Sequence, residues 1–430
     1  FTDIDDKIIN RANQLGISST ELAEKYIDEY FKDMDALNIK RAHVYPRATE
    51  EIPKIIEVIQ GLIDKGFAYE SGGSVYFRVR NFPGYGKLSR QETDDMLSRS
   101  SAEEGDKESP LDFALWKAAK PGEPFWPSPW GQGRPGWHIE CSAMALKYLG
   151  KTIDIHGGGQ DLIFPHHENE ITQSESFTGA VPFVRHWLHN GLLQMGENKM
   201  SKSLGNLITV KQALERYSSD AIRLFILSSH YRSPLTYSED ALKAAESGME
   251  RLRQAAQDGG MTDGSVLDAE PYKSRFTGSM DDDFNTAQAL AALFELAREI
   301  NRGREEKCNV TAAQNTLRAL AGVLGFTLEE PKKPPLDFKT VQGLVTVLSH
   351  ELKKAPRNET VTKIESLLAE TASSLGISDS EKLIQLLIET REKLRKAKQW
   401  QLADMVRQRL TGLGIALEDT PQGTVWKRSL

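Results

Sequence analysis

Lys199-Met200-Ser201-Lys202-Ser203-Leu204-Gly205-Asn206 sets two lysines around small hydroxyl residues in a glycine-bearing loop. Two ammonium groups on such a loop suit a clamp for phosphates. They can neutralise negative charge as it develops on a leaving pyrophosphate. The plainer reading is a solvated basic loop. The string is specific enough that chance occurrence in 430 residues would be rare, so the clamp is the stronger reading.

Upstream, Asp154-Ile155-His156-Gly157-Gly158-Gly159-Gln160-Asp161 reads as a segment that follows a strand. Gly157, Gly158 and Gly159 let the backbone approach a ligand closely and offer N–H groups to an anion. A tight turn is the plain alternative. Pro165-His166-His167-Glu168-Asn169-Glu170 then opens a helix, on which His166 and Glu170, four apart, share a face. Cys141 lies 25 residues before His166, within Gly136-Trp137-His138-Ile139-Glu140-Cys141. Cysteine, histidine and glutamate are all zinc ligands, and three of them leave a position open. Buried polar side chains are the alternative. Five of the seven tryptophans and six of the nine histidines fall between residues 111 and 210, a concentration that suits a small-molecule pocket.

The wider chain bounds these readings. Its 430 residues exceed one ordinary domain and predict two to four. No run approaches the roughly 20 apolar residues that span a bilayer, so no membrane association is expected. Two cysteines, Cys141 and Cys308, cannot build a disulfide framework, which points to a reducing, cytoplasmic setting. A net charge of -7 excludes a uniformly basic nucleic-acid binder. Residues 391–430, however, hold nine basic against four acidic side chains, interleaved with Trp400 and Trp426. That mixture suits phosphate contacts with base stacking, or a solvated helix face.

Locally, residues 8–33 carry helical periodicity, with Ser19 as a helix start. A helix fits 50–66, and Phe67 to Val79 predicts a hairpin turning at Gly72-Gly73. Residues 89–110 read as a mobile surface loop. Asp283, Asn285 or Thr286 can cap a helix that runs to Asn301. Pro331-Lys332-Lys333-Pro334-Pro335 is a stiff linker, followed by helices at 340–354 and 359–375 and a last unit from Ser378.

Lys-Met-Ser-Lys-Ser is the second signature of class I aminoacyl-tRNA synthetases. Together with Phe1-Thr2-Asp3-Ile4-Asp5-Asp6-Lys7, Gly136 to Cys141, Gly157 to Asp161, Phe164 to Glu170 and the terminal Glu418 to Trp426, it makes the sequence resemble the cysteinyl-tRNA synthetases. The resemblance implies an α/β chain: a Rossmann-type catalytic domain of the class I kind with a connective insertion, then α-helical domains and a small C-terminal anticodon-binding domain. Its boundaries would be 1–30 for the rest of the first catalytic half and 31–125 for the insertion. The second half with the zinc site would be 126–195, the stem-contact region with the lysine loop 196–240, and the helical tRNA-binding bundle 241–331. A linker and extra helical pair at 332–377, longer than the family's usual connection, would precede the anticodon domain at 378–430.

The implied activity is that of a cysteine–tRNA ligase, which activates L-cysteine with ATP and Mg2+ and transfers it to tRNA(Cys). The resemblance implies one Zn2+ per subunit on Cys141, His166 and Glu170. It implies substrate contacts from Thr2, Trp137 and Asp161, and an ATP site formed by Gly157, Gly158, Gly159 and Lys202. Lys199 and Lys202 would be catalytic. Arg395, Asp404, Asp419 and Trp426 would read the anticodon, and the enzyme would act as a monomer. The family's first signature, His-Ile-Gly-His, and a fourth ligand, a cysteine, are expected upstream of Phe1. A related ligase that joins activated cysteine to an amino sugar, as in mycothiol synthesis, is the alternative. It would have no need of the basic C-terminal module.

Overall fold

The computed structural model describes residues 1–95, 107–195, 198–199, 208–259, 264–330, 338–354, 361–366, 368, 380–413, 415–420 and 423–428. Residues 200–207 of the lysine loop, Lys202 among them, the centre of the 89–110 segment, the proline-rich linker and most of 359–375 lie outside these residues. Two compact units form, Phe1–Glu329 and Glu330–Leu430.

The first unit begins with α1 (Asp6–Leu15) and α2 (Ser19–Ala36). The second helix begins at Ser19, as the sequence suggested. Ser18 is the cap: its hydroxyl accepts from Glu21 N at 3.1 Å, and the Glu21 carboxylate accepts from Ser18 N at 2.9 Å. This reciprocal pair satisfies two otherwise orphaned donors, and Ser19 has no equivalent partner three residues on. Next come α3 (Ile52–Asp64), β1 (Ala68–Ser71), β2 (Ser74–Phe77), β3 (Phe113–Ala118) and β4 (Gly133–Pro135). The strands form one antiparallel sheet in sequence order. Gly72 and Gly73 both take positive φ, +58° and +75°, which a two-residue hairpin of this hand requires. Ile55, Val58, Ile59 and Leu62 of α3 bury one face against Val75, Phe77, Leu115 and Trp116 of this sheet.

The region that holds the site follows: α4 (Trp137–Tyr148), β5 (Ile153–Gly159), α5 (Glu168–Thr178) and β6 (Val184–Asn190). β5 and β6 are parallel, so α5 is their crossover, the unit from which doubly wound folds are built. The glycine run is not a turn after the strand. Gly157, Gly158 and Gly159 are the last three residues of β5 and pair with Leu188, His189 and Asn190. β7 (Leu193–Met195), β8 (Asn198–Lys199) and, further on, β9 (Leu235–Tyr237) form a small sheet in which β7 runs parallel to β9.

The chain is then mostly helical: α6 (Val210–Leu214), α7 (Ser219–Leu227), α8 (Glu239–Ala256), α9 (Glu270–Asp281), α10 (Thr286–Glu305) and α11 (Thr311–Val323). Of the three candidate caps for α10, Asn285 is the one used, accepting from Gln288 N at 3.2 Å. Leu252, Leu293, Leu296, Ile300 and Leu317 are fully buried at the centre of this bundle. In the second unit, α12 (Phe338–Lys354), α13 (Ser380–Lys396) and α14 (Trp400–Gly412) share one core with the hairpin β10 (Ile415–Thr420) and β11 (Gly423–Arg428). Val341, Val345, Leu348 and Leu352 of α12 are buried in that core, so α12 is packed as part of the same unit as α13.

Candidate active site and metal centre

The site is built where α4 and α5 pass the C-terminal ends of β5 and β6, the end at which open parallel sheets bind ligands. Gly136 sets α4. Its N–H donates to Leu115 O at 2.8 Å, and its Cα lies so close to the Ala114 carbonyl that no β-carbon would fit. That close approach starts the helix at Trp137 and leaves this tryptophan 45% exposed over the crevice. One turn on, Cys141 faces α5.

α5 is polar and yet buried along most of its length. The loop at 85–89 supplies partners: Glu168 accepts from Leu88 N at 3.1 Å and Ser89 N at 2.8 Å, and Tyr85 donates to Asn169 at 2.7 Å. These bonds offset the desolvation of so many polar groups. The chain enters α5 through an irregular turn at Ile163–His167, broken by the extended backbone of Phe164.

Cys141, His166 and Glu170 offer ligand atoms that all lie within 4.8 Å of one another. His166 and Glu170 are almost wholly buried. His166 Nε2 is 3.0 Å from Glu170 Oε1, but that oxygen receives no well-directed hydrogen bond. The other oxygen, Oε2, is 2.8 Å from His156 Nε2. Burial works against ionisation of Glu170, and the two histidines outweigh it, holding the carboxyl well below its usual range. Burial first, then the Glu170 and Glu140 carboxylates, pushes the Cys141 thiol up. A cation in this cluster would reverse that bias, because a coordinated thiol ionises readily.

Histidines surround the cluster. His138 Nδ1 is 2.9 Å from His166 Nδ1, and His167 Nδ1 is 2.8 Å from His189 Nε2. Burial pushes His138 and His167 down to about 3, so both are neutral near pH 7. Trp137 lies over His166 with ring centres 4.3 Å apart, and Trp187 stacks on His156 at 4.7 Å. Gly158 makes the packing possible, since a β-carbon there would run into the His167 ring. His156, His167 and Glu170 form a second group close enough to hold an ion. It shares Glu170 with the first, so the carboxylate ties the two together.

Of the other residues singled out from sequence, Thr2 is partly buried and lies beside the buried Glu140. Asp161 is exposed in the turn that follows Gly159. Lys199 is in β8, paired with Gln194 of β7.

The family described as "tRNA synthetases class I (C) catalytic domain" matches residues 1–247, and the DALR domain matches 275–329. A protein of Dehalococcoides mccartyi named "Cysteine--tRNA ligase" is 54% identical over 430 residues, covering 99% of this chain and 85% of that protein. One of the same name from Desulforudis audaxviator is 47% identical over 448 residues, covering 100% and 86%. The chain belongs to the cysteinyl-tRNA synthetases. Among solved structures, the methionyl-tRNA synthetase of Mycobacterium tuberculosis with bound methionyl-adenylate superposes with a TM-score of 0.51 at 17% identity. The match covers 75% of this chain and 79% of that one, which shows a shared class I synthetase fold.

In this synthetase the four residues expected to read an anticodon all lie in the second unit. Arg395 is exposed near the end of α13 and Asp404 is exposed on α14. Asp419 pairs with Thr424 across the β10–β11 hairpin. Trp426 packs against the unit's core, whereas Trp400 is 56% exposed, so Trp400 is the freer of the two for stacking. Reading the sequence missed the contacts of His156, His138 and His189. Their concentration between 111 and 210 was the signal, but it did not say which of them would touch Glu170 or His166. No described helix is long and apolar enough to cross a membrane.

Proposed function

We propose that this synthetase activates L-cysteine with ATP and Mg2+, passes it to tRNA(Cys), and recognises the cysteine thiol through a zinc ion held by Cys141, His166 and Glu170. The observation that carries the reading is the convergence of those three side chains within 4.8 Å beside Trp137. The donor set fits zinc. It offers a thiol, an imidazole and a carboxylate oxygen that is buried yet lacks a well-directed hydrogen bond. When bound there, zinc would take a deprotonated thiol far more readily than a hydroxyl, which supplies discrimination against serine that a plain hydrophobic pocket lacks.

The chain's own residues prepare this recognition. His138, neutral through burial, lies with its Nδ1 2.9 Å from Nδ1 of His166; in the tautomer in which His166 donates there, Nε2 of His166 keeps a lone pair for a metal. His156 engages Oε2 of Glu170 and leaves Oε1 turned to the cluster. Trp137 walls the exposed side. Thr2 and Asp161 complete the substrate pocket, and the backbone of Gly157 to Gly159 lies open to the nucleotide at the end of β5.

In the first step an oxygen of the cysteine carboxylate bonds to the α-phosphorus of ATP, and the bond to pyrophosphate breaks. Lys202, assisted by Lys199, neutralises the charge that builds on the departing pyrophosphate. In the second step a ribose hydroxyl of the terminal adenosine attacks the acyl carbon and AMP leaves. Arg395, Asp404, Asp419 and Trp426, in the basic second unit, would contact the tRNA. The DALR match at 275–329 favours tRNA over an amino sugar as acceptor. Aminoacylation assays with the intact protein test this choice. Cysteine should appear on tRNA(Cys) and not on glucosamine-type acceptors, and the reverse result would overturn the reading.

A further inference from the structure

Gly191, at the end of β6, leads directly into β7 and then to β8, which ends at Lys199. The placement of that strand pair is set by a loop from elsewhere in the chain. Gly191 N donates to Tyr231 O at 2.7 Å, Leu235 N donates to Leu192 O at 3.1 Å, and β7 pairs in parallel with β9. Gly191 also presses against the Ser233 carbonyl, with no room for a β-carbon.

The loop is gripped in turn from the start of α10. The Tyr231 hydroxyl donates to Asp283 Oδ1 at 2.8 Å, and Arg232 Nε is 2.8 Å from Asp283 Oδ2. Thr286 Oγ1 donates to Leu227 O at 2.8 Å, at the base of the same loop. The Tyr231 hydroxyl above all holds the Asp283 carboxyl below its usual range, so the carboxylate is charged at neutral pH.

The backbone here is unusual. Asp283 and Phe284 both have φ of +53°, two successive non-glycine residues in the left-handed region. The corner is held by Phe284 N donating to Met280 O at 3.2 Å and Asn285 N donating to Ser279 O at 3.0 Å. A chain adopts such a pair only where its surroundings enforce it, and its effect here is to aim Asp283 at Tyr231 and Arg232.

We propose that Asp283 is a positioning residue for the activation step: through Tyr231 and Arg232 it fixes the loop that seats Gly191, and with it the strands β7 and β8 that lead to Lys199. The inference rests on the proposed function, since a phosphate-clamping role for the lysine loop is what gives the placement a consequence. It makes the entrance to the helical region a control point for the chemistry of adenylate formation.

The test measures cysteine-dependent ATP–pyrophosphate exchange and thermal unfolding for the intact protein and for Asp283→Ala, Asp283→Asn and Tyr231→Phe. Asp283→Ala is expected to lower kcat about tenfold, while KM for cysteine stays within about twofold. The unfolding midpoint should stay within about 2 °C, since the contacts are on the surface. Asp283→Asn keeps an acceptor for Tyr231 and should recover much of the rate. Tyr231→Phe should lower kcat, and adding it to Asp283→Ala should cost little more, as expected for two members of one relay. Wild-type kcat in Asp283→Ala would overturn the inference. So would a parallel fall of kcat, cysteine affinity and unfolding midpoint, which marks a merely structural residue. If the wild-type protein itself gives no cysteine-dependent exchange, the functional reading fails and takes this inference with it. Active wild type with unaffected variants fails the inference alone.

Discussion

His156 Nε2 lies 2.8 Å from Oε2 of Glu170, the oxygen that His166 does not approach. The pair joins the middle of β5 to the first turn of α5, and it orients the carboxylate so that Oε1 faces Cys141 and His166. Removing His156 frees the carboxylate to rotate. His156→Ala should weaken zinc retention by about 10- to 100-fold, the usual loss for a partner that orients a metal ligand. Competition with a chromogenic chelator measures it, and unchanged retention would mean that Glu170 is held by its burial alone.

Cys141→Ser replaces the proposed thiol ligand by a hydroxyl. Zinc content should fall and discrimination against serine should erode. The loss should exceed the ~1–3 kcal/mol of a simple pocket change, because a metal–thiolate contact goes with it. Elemental analysis together with cysteine and serine activation rates checks both effects. A variant that keeps full zinc and full selectivity would move the metal away from Cys141.

Lys202→Ala should slow adenylate formation roughly 100- to 1000-fold in kcat, with little change in KM for cysteine. In the proposed mechanism its ammonium acts on charge that appears only as pyrophosphate departs. An exchange rate within about threefold of wild type would contradict the assignment.

The second unit has its own core, which includes α12, so a cut at Glu330 divides the chain more cleanly than one at Ser378. Cutting at Ser378 would leave Val341, Val345, Leu348 and Leu352 without their cover. Protein truncated after Glu329 should keep most of its exchange activity and lose most transfer to tRNA. The salt dependence of tRNA binding should flatten, since fewer phosphates are neutralised. If exchange collapses as well, the unit supports the catalytic fold and is not a separate reader.

What could be read from sequence was what is encoded locally. The Gly72-Gly73 hairpin follows from turn chemistry, and the shared face of His166 and Glu170 follows from helical spacing. Cys141 joined them only on the grounds of ligand chemistry and family resemblance. The partnership of His156 with Glu170 depends on how β5 lies against α5, and no periodicity reports that. The burial of α5 was equally hidden, because a polar helix reads as exposed until its partners at Tyr85, Leu88 and Ser89 are seen. The place of the glycine run was hidden for a related reason. Three glycines can make a turn after a strand, but here they finish the parallel strand β5, and Gly158 clears space for the His167 ring.

The most direct test of the account is ATP–pyrophosphate exchange by the intact, zinc-replete protein with cysteine and with serine as substrate. The account predicts exchange with cysteine and a kcat/KM for serine lower by about 10⁴-fold or more, the scale reached when a site is built around the group that distinguishes two substrates. Comparable rates for the two amino acids, or exchange that depends on some other amino acid and not on cysteine, would contradict it.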